Sequence, residues 1–448
     1  MTRVSRAVCF VVAAAMSGCG AGSGPSGSMP GLPQMSTAFP NSPPPGNQKI
    51  KHVVIVIQEN RSFDNLFATF PGADGTTVGL LHTGKHFKLI KGTLRGKELN
   101  HMRSGYRTEY DGGKMDGFDL IGFGSSGNDG PAGRYPLRYV NPADIAPYWT
   151  MAKDYSLADH MFQTQGSGSF TAHQELIAGG TAFAPTKSLI DFPSGGPWGC
   201  DAPSKTVTTY ITTSGEFFFN KGPFPCLSYK TMADVLDPKG LSWKYYVPPL
   251  LVPGSSGFLW NAFDAIKKVR YGADWANVIS PETDVFDDVK HNRLPAVSWV
   301  VPCGQNSDHA AGTDTGPSWV AAIVNTIGHS PAWSSTAIIV VWDDWGGYYD
   351  HVPPAFIDDQ GGLGFRVPMI VISPYSKSVG YISHTQYEFG SILRFVEDNW
   401  GLQRLGSTDV RATSIGDMFD FTKPARAFTA IPARGYHTCP QGDPPDDA

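Results

Sequence analysis

The chain is punctuated by short unbroken runs of β-branched and aliphatic residues: His52 to Ile57, Leu294 to Val301, Thr336 to Trp342 and Val367 to Ile372. A strand with one wet face alternates apolar and polar residues, whereas a continuous run suits a strand covered on both faces. Between these runs the spacing changes. From Pro317 to Ile327 the residues Trp319, Val320, Ile323, Val324 and Ile327 fall on one helical face, with the proline in the first turn. A second helical pattern runs from Ser391 to Trp400 and stops at Gly401. Strands alternating with helices predict an α/β fold, an α/β/α sandwich around a largely parallel sheet. The stretch from about 183 to 260 breaks the alternation with Pro193-Ser-Gly-Gly-Pro197, Thr206 to Thr213 and Pro248-Pro249, and predicts a loop-rich cap inserted over the sheet.

The amino-terminal residues stand outside this pattern. Arg3 and Arg6 precede an apolar run from Ala7 to Met16 and then Ser17-Gly18-Cys19. The run is too short to cross a hydrocarbon core of ~30 Å as a helix, so residues 1–18 read as an export signal and not as an anchor. Met16-Ser-Gly-Cys19 resembles the lipobox of bacterial lipoproteins, which makes Cys19 the expected lipidated residue. Residues 19–47 are mostly Gly, Ser and Pro, too poor in apolar surface to order themselves, and read as a tether. The catalytic domain is then expected over 48–448. These features predict an exported protein, either held at the cell envelope by lipid or secreted.

Composition narrows the classes. Only 17% of residues are charged, against about 25% in an average soluble protein. The net charge of -5 at pH 7 offers neither the basic footprint of a nucleic-acid binder nor charge attraction to a membrane. Nothing in the pattern calls for a protein partner. Of six cysteines, Cys9 and Cys19 belong to the export segment. Cys200, Cys226, Cys303 and Cys439 remain, an even number suited to two disulfides in an oxidising compartment. Cys200 with Cys226 is the expected pair, because both lie within one Gly/Pro-rich excursion.

In doubly wound sheets the ligand site lies beyond the carboxyl ends of the strands. The first run is followed by Gln58-Glu59-Asn60-Arg61-Ser62-Phe63-Asp64, the second by Asn306-Ser307-Asp308-His309, and the third by Asp343-Asp344-Trp345-Gly346-Gly347-Tyr348-Tyr349-Asp350-His351. Glu59, Asp343 and Asp344 gathered at one edge repel one another unless a cation neutralises them. An all-oxygen donor set predicts a hard divalent cation, Ca²⁺, Mg²⁺ or Mn²⁺. A second constellation, Gly166-Ser167-Gly168-Ser169-Phe170-Thr171-Ala172-His173, leads from a glycine-rich turn into a helix closed by Gly179-Gly180. A hydroxyl at a helix N-terminus sits where free N–H groups favour an anion such as a phosphoryl group. By position Ser167, Ser169 and Thr171 all qualify.

These segments together resemble a known family. Glu59 to Asp64, Gly113-Lys-Met-Asp-Gly-Phe118, Ser169-x-x-x-His173, Ser307-Asp308-His309, Asp343-Asp344-x-Gly346-Gly347-x-x-Asp350-His351-Val352 and Asp417-Met-Phe-Asp-Phe421 occur in the order seen in the bacterial phospholipase C and acid phosphatase (phosphoesterase) family of the alkaline-phosphatase-like superfamily. The resemblance implies a metal bound by Glu59, Asn60, Asp343 and Asp344, with Ser169 as nucleophile. It implies that His101 and His309 contact the phosphoryl group and its leaving oxygen. Apart from the resemblance, Asp350, His351 and His173 are candidates to support the site through hydrogen bonds, with lining the site as the alternative for His351. Asp344 departs from the pattern, which often carries Glu there, and its carboxylate is one methylene shorter. The expected substrate is a phosphate ester or phospholipid, cleaved through a phosphoserine. A broad acid phosphatase is the alternative, and a catalytically silent binding module the alternative of another class. A sulfatase would need Pro-x-Arg after its nucleophile, which Ser169 lacks.

Overall fold

A computed structural model describes residues 49–250, 252, 255–310, 312–355 and 362–439. The export signal, Cys19 and the tether lie outside the described residues. Eight strands make the central sheet: β1 (His52–Gln58), β2 (Ser156–Ala158), then, beyond an inserted layer, β7 (Trp243–Tyr246), β8 (Val278–Ile279), β9 (Val297–Val300), β10 (Thr336–Trp342), β11 (Met369–Ile372) and β12 (Tyr381–Ser383). The inserted layer holds β3 (Ala182–Ala184), β4 (Lys187–Ile190), β5 (Thr209–Thr212) and β6 (Phe217–Phe218), a separate antiparallel sheet ordered β6-β5-β4-β3.

The central order is β8-β7-β9-β1-β10-β11-β2-β12. All neighbours pair in parallel except at β11, which runs against both β10 and β2. The four expected runs all lie in this sheet, and every residue of β9, β10 and β11 is buried. The reversed direction of β11 leaves no mark in composition, because a strand covered on both faces reads alike in either direction. The expected cap range overruns its true end: Trp243–Tyr246 pairs with β9 and belongs to the central sheet.

Helices cover the sheet in two groups. On one side α1 (Ala146–Asp154) meets α4 (Gly316–Gly328), which meets α3 (Asp284–Lys290); on the other α2 (Ser169–Ala178) meets α5 (Phe389–Trp400). This is the α/β/α arrangement. The predicted face of α4 is the buried one, with Trp319, Val320 and Ile327 all sealed from solvent. At the start of α5, Glu388 and Ser391 form a reciprocal capping box. The helix ends at Gly401, whose left-handed φ of +60° glycine adopts most readily. Trp299 of β9 donates its indole N–H to Leu176 O at 3.0 Å, fixing α2 to the sheet. Disulfides join Cys200 to Cys226 and Cys303 to Cys439. The first closes the inserted layer as expected, and the second ties the loop after β9 to the carboxyl-terminal tail. Among the described residues no helix is long and apolar enough to cross a membrane.

Candidate active site

Strand register does the first work of assembly. Gln58 pairs with Trp342 across β1 and β10, so Glu59 and Asp343 leave adjacent strands side by side, and Asp343 N–H donates to Gln58 O at 2.9 Å. Asn60 follows with φ +59°, a left-handed conformation uncommon outside glycine. That turn lets its backbone N–H donate to Asp343 Oδ1 at 2.9 Å, alongside Asp344 N–H at 2.7 Å. Across the gap, a Cβ on Gly346 would lie 2.1 Å from Asn60 O. Only glycine lets the two loops approach this closely.

The third element is α2. Its first residue, Ser169, donates its hydroxyl to Asp344 Oδ2 at 3.1 Å. The neighbouring hydroxyls are already engaged, since Ser167 Oγ accepts from Asp191 N–H and Thr171 Oγ1, at 2.7 and 2.8 Å. One turn into the helix, His173 Nε2 lies 2.9 Å from Glu59 Oε1 and 3.8 Å from Asp343 Oδ2. Glu59, His173 and Asp343 thus bring three ligand atoms within 4.8 Å of one another. The donor set is therefore not all oxygen as expected: an imidazole joins it, which widens the fitting cations towards Mn²⁺ and other borderline ions. The signal was visible, because Ser169 and His173 stand four apart and share a helical face.

The site's polar atoms are left unsatisfied in a way that a cation repairs. Glu59 Oε2, Asn60 Oδ1 and Asp343 Oδ2 are buried with no hydrogen-bond partner, although such groups are normally paired. Burial and the charge of Asp343 push the Glu59 and Asp344 carboxyls well above the usual range. Burial pushes His173 down to about 4, against the pull of Asp343. It is therefore neutral near pH 7, the form that ligates metals. Without a cation the cluster must hold protons; with one, the acids ionise and the orphaned atoms gain a partner. Asp344 stands apart from Glu59, Asn60 and Asp343, since Oδ1 accepts from Gly346 N–H at 2.7 Å and Oδ2 from Ser169.

His101 and His309 meet edge to face with ring centroids 6.4 Å apart. His101 Nδ1 lies 2.7 Å from Leu99 O, which only accepts, so Nδ1 carries the proton and Nε2 is left as an acceptor. Burial lowers the His101 pKa. His309 Nε2 lies 3.5 Å from Glu98 Oε1, a residue that sequence reasoning missed, since nothing at position 98 marks it. Burial raises the Glu98 carboxyl, but the His309 hydrogen bond and the His101 charge outweigh it and hold it below the ordinary value.

Asp350 and His351 were expected to support this site and instead belong to a second acidic cluster. Asp350 pairs with Arg366 through both oxygens, at 2.8 and 3.2 Å. His351 Nδ1 lies 2.7 Å from Asp64 Oδ2 and Nε2 lies 3.3 Å from Asp74 Oδ1.

This arrangement, a cation-hungry acid set beside a hydroxyl at a helix N-terminus, is one that phosphoryl chemistry uses. The Phosphoesterase family model matches residues 50–403. The chain belongs to that family. It is a hydrolase acting on phosphoric ester bonds. It is 27% identical to phospholipase C A of Mycobacterium tuberculosis (strain ATCC 25618 / H37Rv), over 88% of this chain and 81% of that protein. It is 25% identical to a non-hemolytic phospholipase C of Pseudomonas aeruginosa, over 88% of this chain and 61% of that protein. Among solved structures it is similar to a protein of the alkaline phosphatase superfamily from Vibrio parahaemolyticus, with TM-score 0.38 and 12% identity, covering 84% of this chain and 73% of that one.

Proposed function

We propose that the chain is an exported, divalent-metal-dependent phosphoesterase of phospholipase C type that works through a phosphoserine on Ser169. The observation that carries this reading is the convergence of orphaned oxygens of Glu59, Asn60 and Asp343 with His173 Nε2, close in the fold to a serine hydroxyl at the first turn of a helix. Glu59, Asn60 and Asp343 are the residues that would hold the metal, with His173 beside them, and Mn²⁺ suits the mixed donor set best of Ca²⁺, Mg²⁺ and Mn²⁺. A bound divalent ion would screen the phosphate charge and stabilise the charge that builds on its oxygens.

The chain's own residues do the rest. Ser169 Oγ passes its proton to Asp344 Oδ2 and attacks phosphorus, forming the serine–phosphorus bond as the phosphorus–oxygen bond to the alcohol breaks. The departing oxygen takes a proton from His309, which Glu98 orients. In the second step His101 Nε2 accepts a proton from water, whose oxygen bonds to phosphorus as the bond to Ser169 Oγ breaks. Asp344 Oδ2 returns its proton to Ser169 Oγ, restoring the hydroxyl and freeing phosphate or a phosphomonoester, and His101 passes its proton through solvent to His309 for the next cycle. The N-terminus of α2 stabilises the negative charge at each stage. Export and lipidation at Cys19 rest on the amino-terminal sequence and agree with two disulfides, which persist in oxidising compartments.

A broad phosphomonoesterase would use the same groups. The test compares p-nitrophenyl phosphate, phosphatidylcholine and sphingomyelin, with and without chelator, in wild type and Ser169→Ala. Metal-dependent turnover of the phospholipids, lost in Ser169→Ala, is the expected result. Cleavage of the monoester alone selects the phosphatase, and undiminished turnover in Ser169→Ala overturns the mechanism.

A further inference from the structure

The two strands that lead into Glu59 and Asp343 also hold the loop that carries His309. Gln58 and Trp342 are partners in the register of β1 and β10, and each stands immediately before one of those acids. Both reach Asp308, the neighbour of His309. Gln58 Oε1 accepts from Asp308 N–H at 2.9 Å, and its Nε2 donates to Asn306 O at 3.2 Å. The Trp342 indole N–H donates to Asp308 Oδ2 at 2.9 Å, beside the Tyr148 hydroxyl at the same distance. Arg61 adds its Nε to Asp308 O at 2.9 Å. All of these residues are buried, so the loop cannot shift without leaving buried polar groups unpaired. The His309 imidazole is held far less firmly by its own contacts. It is half-buried, and its one polar contact among the described residues is Glu98 Oε1 at 3.5 Å, the outer limit of a hydrogen bond. Its place is therefore set by the backbone at Asp308.

We infer that Gln58 and Trp342 are positioning residues that act through Asp308 to set His309 against the edge bearing Glu59 and Asp343. The inference rests on the reading of His309 as the group that protonates the leaving oxygen, and adds the residues that aim it. That proton matters most when a strongly basic alkoxide departs and little when a nitrophenolate departs. A misplaced acid thus leaves a signature that a general loss of stability does not.

The test compares dihexanoyl phosphatidylcholine with p-nitrophenyl phosphocholine, which differ in leaving group alone, in the full chain loaded with Mn²⁺. Ethyl phosphate and p-nitrophenyl phosphate make the same comparison for monoesters. The variants are Gln58→Met, close in volume but without the hydrogen bonds, Trp342→Phe, which removes the indole donor, and His309→Ala as reference, each checked by thermal unfolding. His309→Ala is expected to lose at least ~10²-fold in kcat/KM on the alkyl ester and far less on the nitrophenyl ester. Gln58→Met and Trp342→Phe are expected to lose about ten-fold on the alkyl ester and about two-fold or less on the nitrophenyl ester. Should Gln58→Met fail to fold, Trp342→Phe decides. Equal losses on both esters in these variants, with His309→Ala still selective, overturn the positioning role alone. Equal losses in His309→Ala overturn the acid assignment and the inference with it.

Discussion

Two acidic clusters occupy the loops that follow the central strands, and they are neutralised in opposite ways. Around Asp64, Asp74 and Asp350 the chain supplies its own cation: Arg366 is fully buried, grips Asp350 with two hydrogen bonds, and reaches Asp64 at 3.5 Å. His351 and His160 add donors, at 2.7 Å to Asp64 and 3.0 Å to Asp74. Around Glu59, Asp343 and His173 no Lys or Arg ion pair is made among the described residues, and a buried oxygen of Glu59 and of Asp343 is left without a partner. Both clusters bury carboxylates, which costs several kcal/mol per unpaired charge. Both groups could hold an ion, but the first, a clamp, already has a buried arginine as its cation, and on the proposed reading the second is the socket for an ion from solution.

The largest effect that separates them is catalytic. Ser169→Ala is expected to lower turnover by at least ~10³-fold while leaving the melting temperature close to that of wild type, measured by phosphoester hydrolysis and thermal unfolding on one preparation. Loss of fold instead would move Ser169 from the chemistry to the scaffold.

Next comes the socket itself. Asp343→Asn is expected to reduce activity by about 10²-fold or more and to raise the concentration of Mn²⁺ needed for half-maximal turnover. Arg366→Met should leave that metal requirement unchanged. Similar metal dependence in the two variants would erase the distinction between the clusters.

The clamp responds in stability. Arg366→Met strands Asp350 and Asp64 without their cation and is expected to cost about 3–5 kcal/mol in urea unfolding, whether or not a chelator is present. A cost that vanishes in chelator would tie the clamp to the metal.

The smallest effect is titratable. Burial lowers the His351 pKa, but the Asp64 hydrogen bond and charge outweigh it, so its folded pKa lies above the unfolded value. The stabilisation is then present below the unfolded pKa and lost as pH rises through the folded pKa. His351→Gln should therefore destabilise more in mildly acidic buffer than in alkaline buffer, by about 1 kcal/mol or less, in paired melting curves. A larger deficit at the alkaline end would reverse the assigned protonation.

How far the sequence revealed this contrast depends on what fixed each contact. The strands β1, β9, β10 and β11 were legible because burial on both faces demands unbroken apolar runs, and their ends located Glu59 and Asp343. The strand Trp243–Tyr246 was hidden in a Gly/Pro-rich region, its aromatic residues interrupted by Lys244. His173 was under-read because its contact with Glu59 spans 114 positions, and only the packing of α2 on the sheet creates it. Asp350 and His351 misled for the opposite reason. They follow Asp343 and Asp344 closely in sequence, but the turn at Gly346 and Gly347 carries them to Arg366.

The central claim is that Glu59, Asn60, Asp343 and His173 form the socket that a divalent cation fills. Its most direct test is the metal content of the purified full chain after equilibration with Mn²⁺ and dialysis, compared among wild type, Asp343→Ala and Arg366→Met by elemental analysis. The account predicts a single tightly held ion in wild type and in folded Arg366→Met, and its loss in Asp343→Ala. Metal retained in Asp343→Ala at the wild-type level, or absent from wild type that hydrolyses phosphoesters fully in chelator, would contradict it.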